Sequence, residues 1–286
     1  YLEECAEMLS QIFPEGKLLV YTKGRTDTRR EYKSTGRARF NIQHVAVLID
    51  EHSASASEIV AGAVQDHDRG WIIGRRSFGK GLVQEQYPLS DDGALRLTIA
   101  RYYTPSGRCI QRDYKHDDHY GQEAERRLHS GELSDATKTR PADTTRFYTG
   151  LGRVVYSSGG ITPDVFVPLD TSFANDYYAA MRRHMAQYAA RWMEGRDRAS
   201  LPATAQDFVK NFSVTDEMLA AWADYTRREG STLTGAPTAS GRLDLQLQLK
   251  ARIGKLLFQN EGLYRVLNED DPAVEQALSV MRKPLK

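Results

Sequence analysis

The chain has 286 residues, of which 40% are hydrophobic, and its formal net charge is +1. A charge this close to zero provides no overall field that would favour nucleic acid or an acidic membrane as a partner, and no apolar run approaches the ~20 residues of a membrane-spanning helix. The composition is that of a globular protein with room for one large domain or two ordinary ones.

The first part of the chain alternates predicted helices and strands. Residues 1–13, YLEECAEMLSQIF, carry apolar side chains at helical spacing. Residues 44–50 (HVAVLID) and 71–74 (WIIG) are short, nearly continuous apolar runs, typical of strands buried on both faces. The segment between these two runs has a helical apolar face. This order predicts an α/β fold in which helices cover a sheet.

A predicted hairpin and a charged segment follow. LVQEQYPL and ALRLTIARYY alternate like two strands, and Asp92 with Gly93 between them favours a hairpin turn. Residues 111–150 are charged and poor in large aliphatic side chains, which predicts a surface insertion. Its sequence HDDH, His116–His119, suggests a metal site, but a solvated loop is the preferred interpretation because further ligands cannot be located. We therefore predict no metal and no cofactor.

From Asp170 onwards the pattern becomes helical, so we predict a core at residues 1–170 and a helical region at 171–286. The stretch FANDYYAAMRRHMAQYAARWM is amphipathic and contains His184, which is expected to pack at the edge of a core and not to bind a ligand. Thr215 is the expected N-cap of a later helix. Two more helices are expected to finish the chain.

The sequence LDLQLQLKARIGKLLF, at residues 243–258, is unusually apolar for a surface helix. Its apolar side chains cover roughly 220° of a helical wheel, whereas a stripe of ~100° is sufficient for a surface helix. One side should pack against the rest of the chain. The other side predicts a homodimer, with a single chain that covers both sides as the alternative.

The two cysteines, Cys5 and Cys109, are far apart and not in metal-ligand spacing. The sequence leaves open whether they pair. Two isolated thiols that pack as small hydrophobic groups are the preferred interpretation.

Residues 74–81, GRRSFGKG, nearly match the phosphate-loop pattern G-x-x-x-x-G-K. A phosphate loop has Ser or Thr directly after the lysine and begins a helix there. Here Gly81 follows Lys80 and the next residues alternate like a strand, so we predict no nucleotide site. Flanking glycines would allow Lys80 to turn inward, where burial lowers the pKa of an amine and lets it act as a general base. An exposed loop lysine is the other interpretation.

Residues 51–59, EHSASASEI, lie between a predicted buried strand and a predicted helix. A serine such as Ser55 would have the main-chain N–H groups of the helix start beside it, and these can stabilise an oxyanion. The same residues fit a capping box of Ser55 and Glu58, which is a purely structural role. His52 suggests a serine–histidine site, but no acidic partner is recognisable.

Together, residues 53–84 closely resemble the C-terminal processing, or tail-specific, proteases of peptidase family S41, which use a serine and a lysine. In that family the middle serine of S-A-S-A-S-E is the nucleophile and the lysine of F-G-K-G, 25 positions later, is its general base. The match falls on Ser55 and Lys80. The resemblance further implies that Gln84 orients the lysine and that the N–H of Ala56 forms half of the oxyanion hole. It continues through LRLTIARYYTPSGRCIQ and GGITPDVFVP.

The resemblance covers residues 1 to about 170 and implies a helix-covered mixed sheet of the crotonase or Clp-protease kind. It implies a serine endopeptidase that cleaves polypeptides near their C-terminal tails, in the periplasm or cell envelope, without metal, cofactor, nucleotide or nucleic acid. Family members usually carry a peptide-binding PDZ domain before the core, and a glycine-rich strand end that completes the oxyanion hole. Neither is visible here, so the activity of this polypeptide by itself is left open.

Two other functions are weighed against a protease. A binding or scaffold module with the same fold could hold peptides along a sheet edge without catalysis. The joint presence of Ser55, Lys80 and Gln84 argues against this alternative. An acyl-CoA enzyme of the related crotonase fold would need a CoA cleft and carboxylate acid–base residues, which are not identifiable in the sequence.

Overall fold

The computed structural model describes residues 2–25, 29–90, 92–112, 123–139, 143–173 and 175–285. The chain divides into a first unit, Tyr1–Leu169 with Pro272–Lys286, and a second unit, Asp170–Asp271. This differs from the domains that we expected, because the last residues of the chain group with the first unit. Within the described ranges, no helix is both long and apolar enough to cross a membrane.

The first unit is a mixed α/β structure, which confirms the predicted class. Its elements are α1 (Leu2–Leu9), β1 (Leu18–Gly24), β2 (Arg30–Lys33), β3 (Ala46–Ile49), α2 (Ala56–Asp66), β4 (Trp71–Gly74), β5 (Leu82–Pro88), β6 (Ala94–Tyr103), α3 (Glu123–Ser130), β7 (Arg146–Tyr148), β8 (Val154–Tyr156), β9 (Val165–Phe166) and α9 (Pro272–Val280). One sheet is antiparallel, in the order β2–β1–β6–β5, and a second is parallel, in the order β3–β4–β9. Strands β7 and β8 form a separate antiparallel pair.

The parallel sheet determines where the two motif-bearing loops lie. Strands β3 and β4 are neighbours in parallel register, with Ile49 opposite Gly74. Their carboxyl ends therefore lie side by side, and the loops that follow them begin at the same edge of the sheet. One of these loops contains Ser55 and the other contains Lys80. The N–H of Phe78 donates to the carbonyl oxygen of Ser53 at 2.9 Å, which joins the two loops directly.

Helix α9 explains why the end of the chain belongs to the first unit. It contacts β3 and β4. Its Ala277 is buried in one apolar cluster with Ile73 of β4 and with Val167. The apolar pattern of α9 predicts a buried face but not the surface that it covers, which is why the sequence assigned it to the helical region.

Buried ion pairs hold several segments of the first unit together. Arg108 Nη2 lies 2.7 Å from Asp66 Oδ1, and the two side chains are 1% and 0% exposed. The Glu132 carboxylate accepts from Arg76 Nε at 2.7 Å and from Arg127 Nε at 3.0 Å. Arg127 and Glu132 belong to the segment 111–150, so its described part is not wholly the surface insertion that we expected. His116–His119 lie outside the described residues.

The second unit is helical. Its helices are α4 (Asp176–Arg183), α5 (Met185–Met193), α6 (Ala205–Asn211), α7 (Asp216–Arg228) and α8 (Ala239–Leu267). Thr215 Oγ1 accepts from the N–H of Met218 at 3.3 Å, which confirms the predicted N-cap of α7. The stretch predicted as one amphipathic helix is interrupted at His184, which ends α4 and begins α5. His184 is half-buried, with Nε2 2.9 Å from Ser231 Oγ.

Helix α8 contains the apolar sequence that predicted a homodimer. It is kinked at Gln259, where φ is 56°. Leu249 and Ile253 are fully buried in the core of the second unit. Leu243 and Leu256 are 67% and 45% exposed, so the chain does not bury all of the apolar side chains of this segment. The homodimer stays a prediction.

Candidate active site

Ser55 lies at the turn between β3 and α2, in an unusual backbone conformation. Its φ is 57° and its ψ is −116°, although it is not glycine. A non-glycine residue in such a region costs about 1–3 kcal/mol and persists only when its surroundings fix it. A serine on a sharp turn from strand to helix has its hydroxyl presented at the sheet edge, which is a known arrangement for nucleophiles. The conformation thus favours a functional role over a purely structural one.

The expected capping box at Ser55 forms mainly through its glutamate. Glu58 Oε2 accepts from the N–H of Ser55 at 2.9 Å. The Ser55 side chain makes no capping hydrogen bond of ordinary geometry. The capping box does place the Ser55 side chain on the backbone of Glu58, but without a regular hydrogen bond, so the nucleophilic and the capping interpretations of this residue are compatible.

The N–H of Ala56 is the candidate oxyanion donor. Ala56 is the first residue of α2, so its N–H has no acceptor within the helix. Among the described residues, no carbonyl or side chain outside the helix accepts from it either. The N-terminus of a helix carries partial positive charge, which favours a negatively charged oxygen beside this N–H.

Lys80 lies at the end of the loop that joins β4 to β5. Its N–H donates to Glu58 Oε2 at 2.8 Å, and its carbonyl oxygen accepts from the hydroxyl of Tyr102. The side chain is half-buried, and among the described residues Nζ forms no hydrogen bond or ion pair. The preceding residue, Gly79, has a φ of 88°, and a Cβ there would lie 3.0 Å from backbone atoms of Gly159 and Gly160. Glycine is therefore required for this bend, as the sequence predicts.

Gln84 lies on β5 and is exposed. We expected simple alternation to place Lys80, Leu82 and Gln84 on one face, and all three line the same cavity. The pairing of β5 with β6 shifts between Val83 and Gln84, where β6 has the extra residue. The Gln84 amide donates to Thr98 Oγ1 at 3.5 Å and makes no hydrogen bond to Lys80. The orienting role predicted for Gln84 would require its amide to turn from Thr98 towards the lysine.

One cavity of about 550 Å³ joins the predicted site residues. Its wall includes Ser55, Ala56, Lys80 and Gln84. The other lining residues that are mainly apolar are Leu2, Ile59, Leu82, Val83 and Tyr102. The other polar lining residues are Glu3, Gln86 and Arg96. The structure therefore brings together all four residues singled out in the sequence, in a site with both apolar and polar walls.

Glu58 is a further residue of the site, and its sequence context predicts only a capping role. It is 0% exposed, and its carboxylate accepts from Ser55, Ser77, Gly79 and Lys80. Burial raises the pKa of Glu58 above its ordinary value, while these hydrogen bonds act in the opposite direction. The signal available in the sequence was a glutamate three residues after the candidate nucleophile, which a capping box explains equally well.

Several rejected interpretations can be compared with the geometry. Gly81 is followed by strand β5 and not by a helix, so the phosphate-loop pattern lacks its structural context. His52 has a side chain that is 74% exposed, and its Nε2 lies 3.9 Å from Glu51 Oε1. It does not line the cavity. The wall that contains Ser55 thus contains a lysine and not this histidine.

Both cysteines are free thiols, which answers the question that the sequence left open. Cys5 is buried, and burial raises its pKa to about 11. Its Sγ donates to the carbonyl oxygen of Ala56 at 3.6 Å. Cys109 is half-buried, and burial raises the pKa of its thiol as well. Raised pKa values are typical of packed, unreactive thiols.

Comparisons with known proteins identify relatives of both parts of the chain. Residues 1–119 match the model of Peptidase family S41, and residues 177–259 match a family of unknown function, DUF8443. The chain is 67% identical over 67 residues to a carboxy-terminal-processing protease of Bartonella bacilliformis, which is 23% of this chain and 15% of that protein. It is 39% identical over 94 residues to a carboxyl-terminal-processing protease of Synechocystis, which is 33% of this chain and 22% of that protein.

The comparison also includes a solved structure. The photosystem II D1 C-terminal processing protease matches at 27% identity with a TM-score of 0.38, over 57% of this chain and 30% of that one. The chain thus spans less than a third of the length of each of these three relatives.

Proposed function

We propose, from the match of residues 1–119 to the model of peptidase family S41, that the chain is the catalytic part of a serine endopeptidase that acts near the C-terminal tails of polypeptides. The observation that carries the proposal is that Ser55, Lys80 and Ala56 at the N-terminus of α2 line one cavity. A nucleophile, a base and an oxyanion donor are the parts that acyl transfer needs.

The proposed reaction has two steps. Ser55 Oγ attacks the scissile carbonyl carbon while Lys80 Nζ, in its neutral form, takes the hydroxyl proton. The negative charge on the carbonyl oxygen is stabilised by the N–H of Ala56. When the C–N bond breaks, Lys80 gives the proton to the leaving amine and an acyl-serine remains. Water then attacks the ester with Lys80 again as base, which releases the acid and restores Ser55. Gln84 is assigned the orientation of Lys80.

The position of β5 supports a substrate that binds in an extended conformation. β5 is an edge strand of its sheet, and four of the residues that line the cavity, Leu82, Val83, Gln84 and Gln86, belong to it. An edge strand offers unpaired main-chain N–H and C=O groups, to which an extended peptide can add as a further strand. Such binding recognises the backbone of many sequences, as a processing protease requires.

The family implies the remaining parts of the proposal. The core sheet with its covering helices is proposed to correspond to the crotonase or Clp-protease arrangement. The intact parent protein, by analogy with bacterial relatives named carboxy-terminal-processing proteases, is proposed to act in the periplasm or cell envelope on polypeptides. A non-catalytic peptide-binding module with the same fold is the alternative, and it differs in one measurable respect, since it would bind a peptide without cleaving it.

The test is cleavage of an unstructured peptide with an apolar C-terminal tail, by this chain and by its full-length parent. Ser55→Ala and Lys80→Ala should each lower the cleavage rate of the active form by at least about 10³-fold, because the parts of such a site act as a unit. Ser57→Ala is the matched control, since this serine lies two residues further along the same motif. We expect it to retain the wild-type rate.

Circular dichroism of each variant checks that the fold is kept. A folded Ser55→Ala protein that cleaves at a tenth or more of the wild-type rate would remove Ser55 from its proposed role. Peptide binding without cleavage by the wild-type parent would favour the non-catalytic module.

A further inference from the structure

Glu58 connects the main chains of the two proposed catalytic residues through one atom. Its Oε2 accepts from the N–H of Ser55 at 2.9 Å and from the N–H of Lys80 at 2.8 Å. Its Oε1 accepts from Ser77 Oγ at 2.5 Å and from the N–H of Gly79 at 2.7 Å. A carboxylate has about four acceptor positions, and this one uses all of them. A capping box explains only the bond to Ser55.

Tyr102 contacts the same two residues through their carbonyl oxygens. Its hydroxyl lies 3.1 Å from the Ser55 carbonyl oxygen and also within hydrogen-bonding distance of that of Lys80. The tyrosine is 1% exposed and belongs to β6, so packing fixes its ring. Glu58 therefore accepts from the N–H groups of both residues, and the Tyr102 hydroxyl shares its one proton between their two carbonyl oxygens.

A third connection extends from Glu58 to the glycine turn before β9. The hydroxyl of Ser77 donates to Glu58 and accepts from the N–H of Ile161 at 2.7 Å. At Gly160 in this turn, a Cβ would lie 2.6 Å from the Ser77 carbonyl oxygen. The loop that contains Lys80 is thus fixed from two directions, by Glu58 and by the close approach of the glycine turn.

We propose that Glu58 and Tyr102 are positioning residues, a clamp that sets the separation and orientation of Ser55 and Lys80 through their main chains. This inference rests on the proposed function of those two residues. Ser55 has a strained φ, and strain of this kind persists only where neighbouring groups fix it. Proton transfer between a nucleophile and its base depends steeply on their distance, and a displacement of about 1 Å can lower a rate about 100-fold. Neither Glu58 nor Tyr102 gives or takes a proton in the reaction.

Two conservative variants test the clamp. Tyr102→Phe removes only the hydroxyl. Glu58→Gln keeps the shape of the side chain but turns one acceptor oxygen into an NH₂ donor. If the NH₂ group replaces Oε2, the N–H groups of Ser55 and Lys80 lose their acceptor. If it replaces Oε1, the N–H of Gly79 loses its acceptor. At least one main-chain N–H at Gly79 or Lys80 is therefore left without an acceptor in either orientation.

Matched controls come from sites outside the cavity. The Asp164 carboxylate is also buried and accepts from the N–H of Ile72 at 2.8 Å and from Arg153 Nη1 at 2.6 Å. Tyr188 is buried in the second unit, and its hydroxyl donates to the Met218 carbonyl oxygen at 2.9 Å. Asp164→Asn and Tyr188→Phe therefore remove comparable groups without touching Ser55 or Lys80.

The measurements are kcat and KM for the peptide substrate of the active form, together with amide hydrogen exchange at Ser55, Gly79 and Lys80. Tyr102→Phe and Glu58→Gln should each lower kcat at least about tenfold while KM changes less than about threefold, because the clamp affects the geometry of proton transfer more than binding. In Glu58→Gln, exchange at one or more of the three amides should accelerate at least about tenfold. Both control variants should keep the wild-type kcat and the wild-type exchange at these amides.

A kcat within about twofold of wild type in folded Tyr102→Phe would overturn the clamp while leaving Ser55 and Lys80 in place. The clamp would also be overturned if Asp164→Asn lowered kcat as much as Tyr102→Phe and Glu58→Gln do. The lower kcat of all three variants would then reflect a general loss of structure. If Glu58→Gln fails to fold, Tyr102→Phe decides alone. Cleavage that survives in Ser55→Ala is a different result, because it removes the proposed function and the clamp with it.

Discussion

The two units bury polar groups to very different degrees. Within the described ranges, the charged residues that are buried as whole residues all belong to the first unit: Glu51, Glu58, Asp66, Arg76, Arg108, Arg112, Arg127 and Glu132. In the second unit, the buried polar residue of those ranges is Thr226, beside an apolar core around Trp222. Buried charge is costly unless it is well paired. Its concentration in the unit that contains the candidate site shows which unit maintains a precise polar geometry.

The two units also differ in how the first turns of their helices are capped. In the second unit, Asn175, Thr204, Thr215 and Thr238 have extended backbones and cap α4, α6, α7 and α8 with their side chains. In the first unit, α2 begins at Ser55 with a positive φ, and the Ser55 side chain makes no capping hydrogen bond of ordinary geometry. The ordinary cap stabilises a helix, whereas the strained φ at Ser55 costs stability.

The largest expected effect on stability comes from removing one partner of an ion pair, and it should differ between the two units. Arg108→Ala leaves the buried Asp66 carboxylate without its guanidinium and should destabilise the first unit by about 3–5 kcal/mol. Arg227→Ala removes the second unit's exposed pair with Asp224, whose side chains are 56% and 68% exposed, and should cost about 0–1 kcal/mol. Urea unfolding followed by ¹⁹F NMR of fluorotryptophan separates the units, since Trp71 reports the first and Trp222 the second. Equal losses would contradict the comparison.

A pair of glycines gives the next effect. Gly195 in the second unit has a φ of 72°, and a Cβ placed on it would have no atom within 4 Å, so Gly195→Ala should cost about 1–2 kcal/mol through φ alone. Gly79→Ala has the same penalty plus contacts of 3.0 Å with backbone, which should add about 1–3 kcal/mol. It should also displace Lys80 and lower peptide cleavage. A Gly79→Ala protein as stable and active as Gly195→Ala would show that this bend is not tightly constrained.

The smallest expected effect concerns the first residues of two helices, where a substitution by glycine should change the free energy of unfolding in opposite directions. Ser55→Gly relieves the strained φ and should stabilise the first unit by about 0.5–1 kcal/mol after the entropy of the unfolded chain is included, while abolishing cleavage. Thr215→Gly removes an ordinary cap and should destabilise the second unit by about 0.3 kcal/mol. The same NMR experiment measures both. Destabilisation by Ser55→Gly would mean that the serine conformation is not strained.

The sequence predicted the elements that position the site better than the contacts within it. The apolar runs at 44–50 and 71–74 identify β3 and β4, and the motifs that follow them contain Ser55 and Lys80. The four hydrogen bonds of Glu58 could not be predicted, because three of their donors lie about 20 residues further along the chain. Periodicity describes neighbours on one helix or strand and gives no information on such distant partners.

Two differences in the fold have similar causes. Helix α9 was assigned to the helical region because an apolar face does not indicate which surface it will cover. The pairing of β5 with β6 shifts between Val83 and Gln84, and this shift depends on an extra residue in the partner strand β6. A bulge of this kind adds a residue to one strand only, and alternation in a single sequence does not reveal it. Both features depend on segments that are distant in the chain.

The return of α9 to the first unit has a consequence for the order of synthesis. A ribosome makes β3 and β4 early, then the whole of Asp170–Asp271, and only afterwards the helix that covers Ile73. Domains generally fold as they emerge, from the N-terminus onwards. The first unit is therefore begun first and completed last. While the second unit is being translated, the parallel sheet exposes an apolar surface, and the nascent chain has to be protected there until Pro272–Val280 arrives.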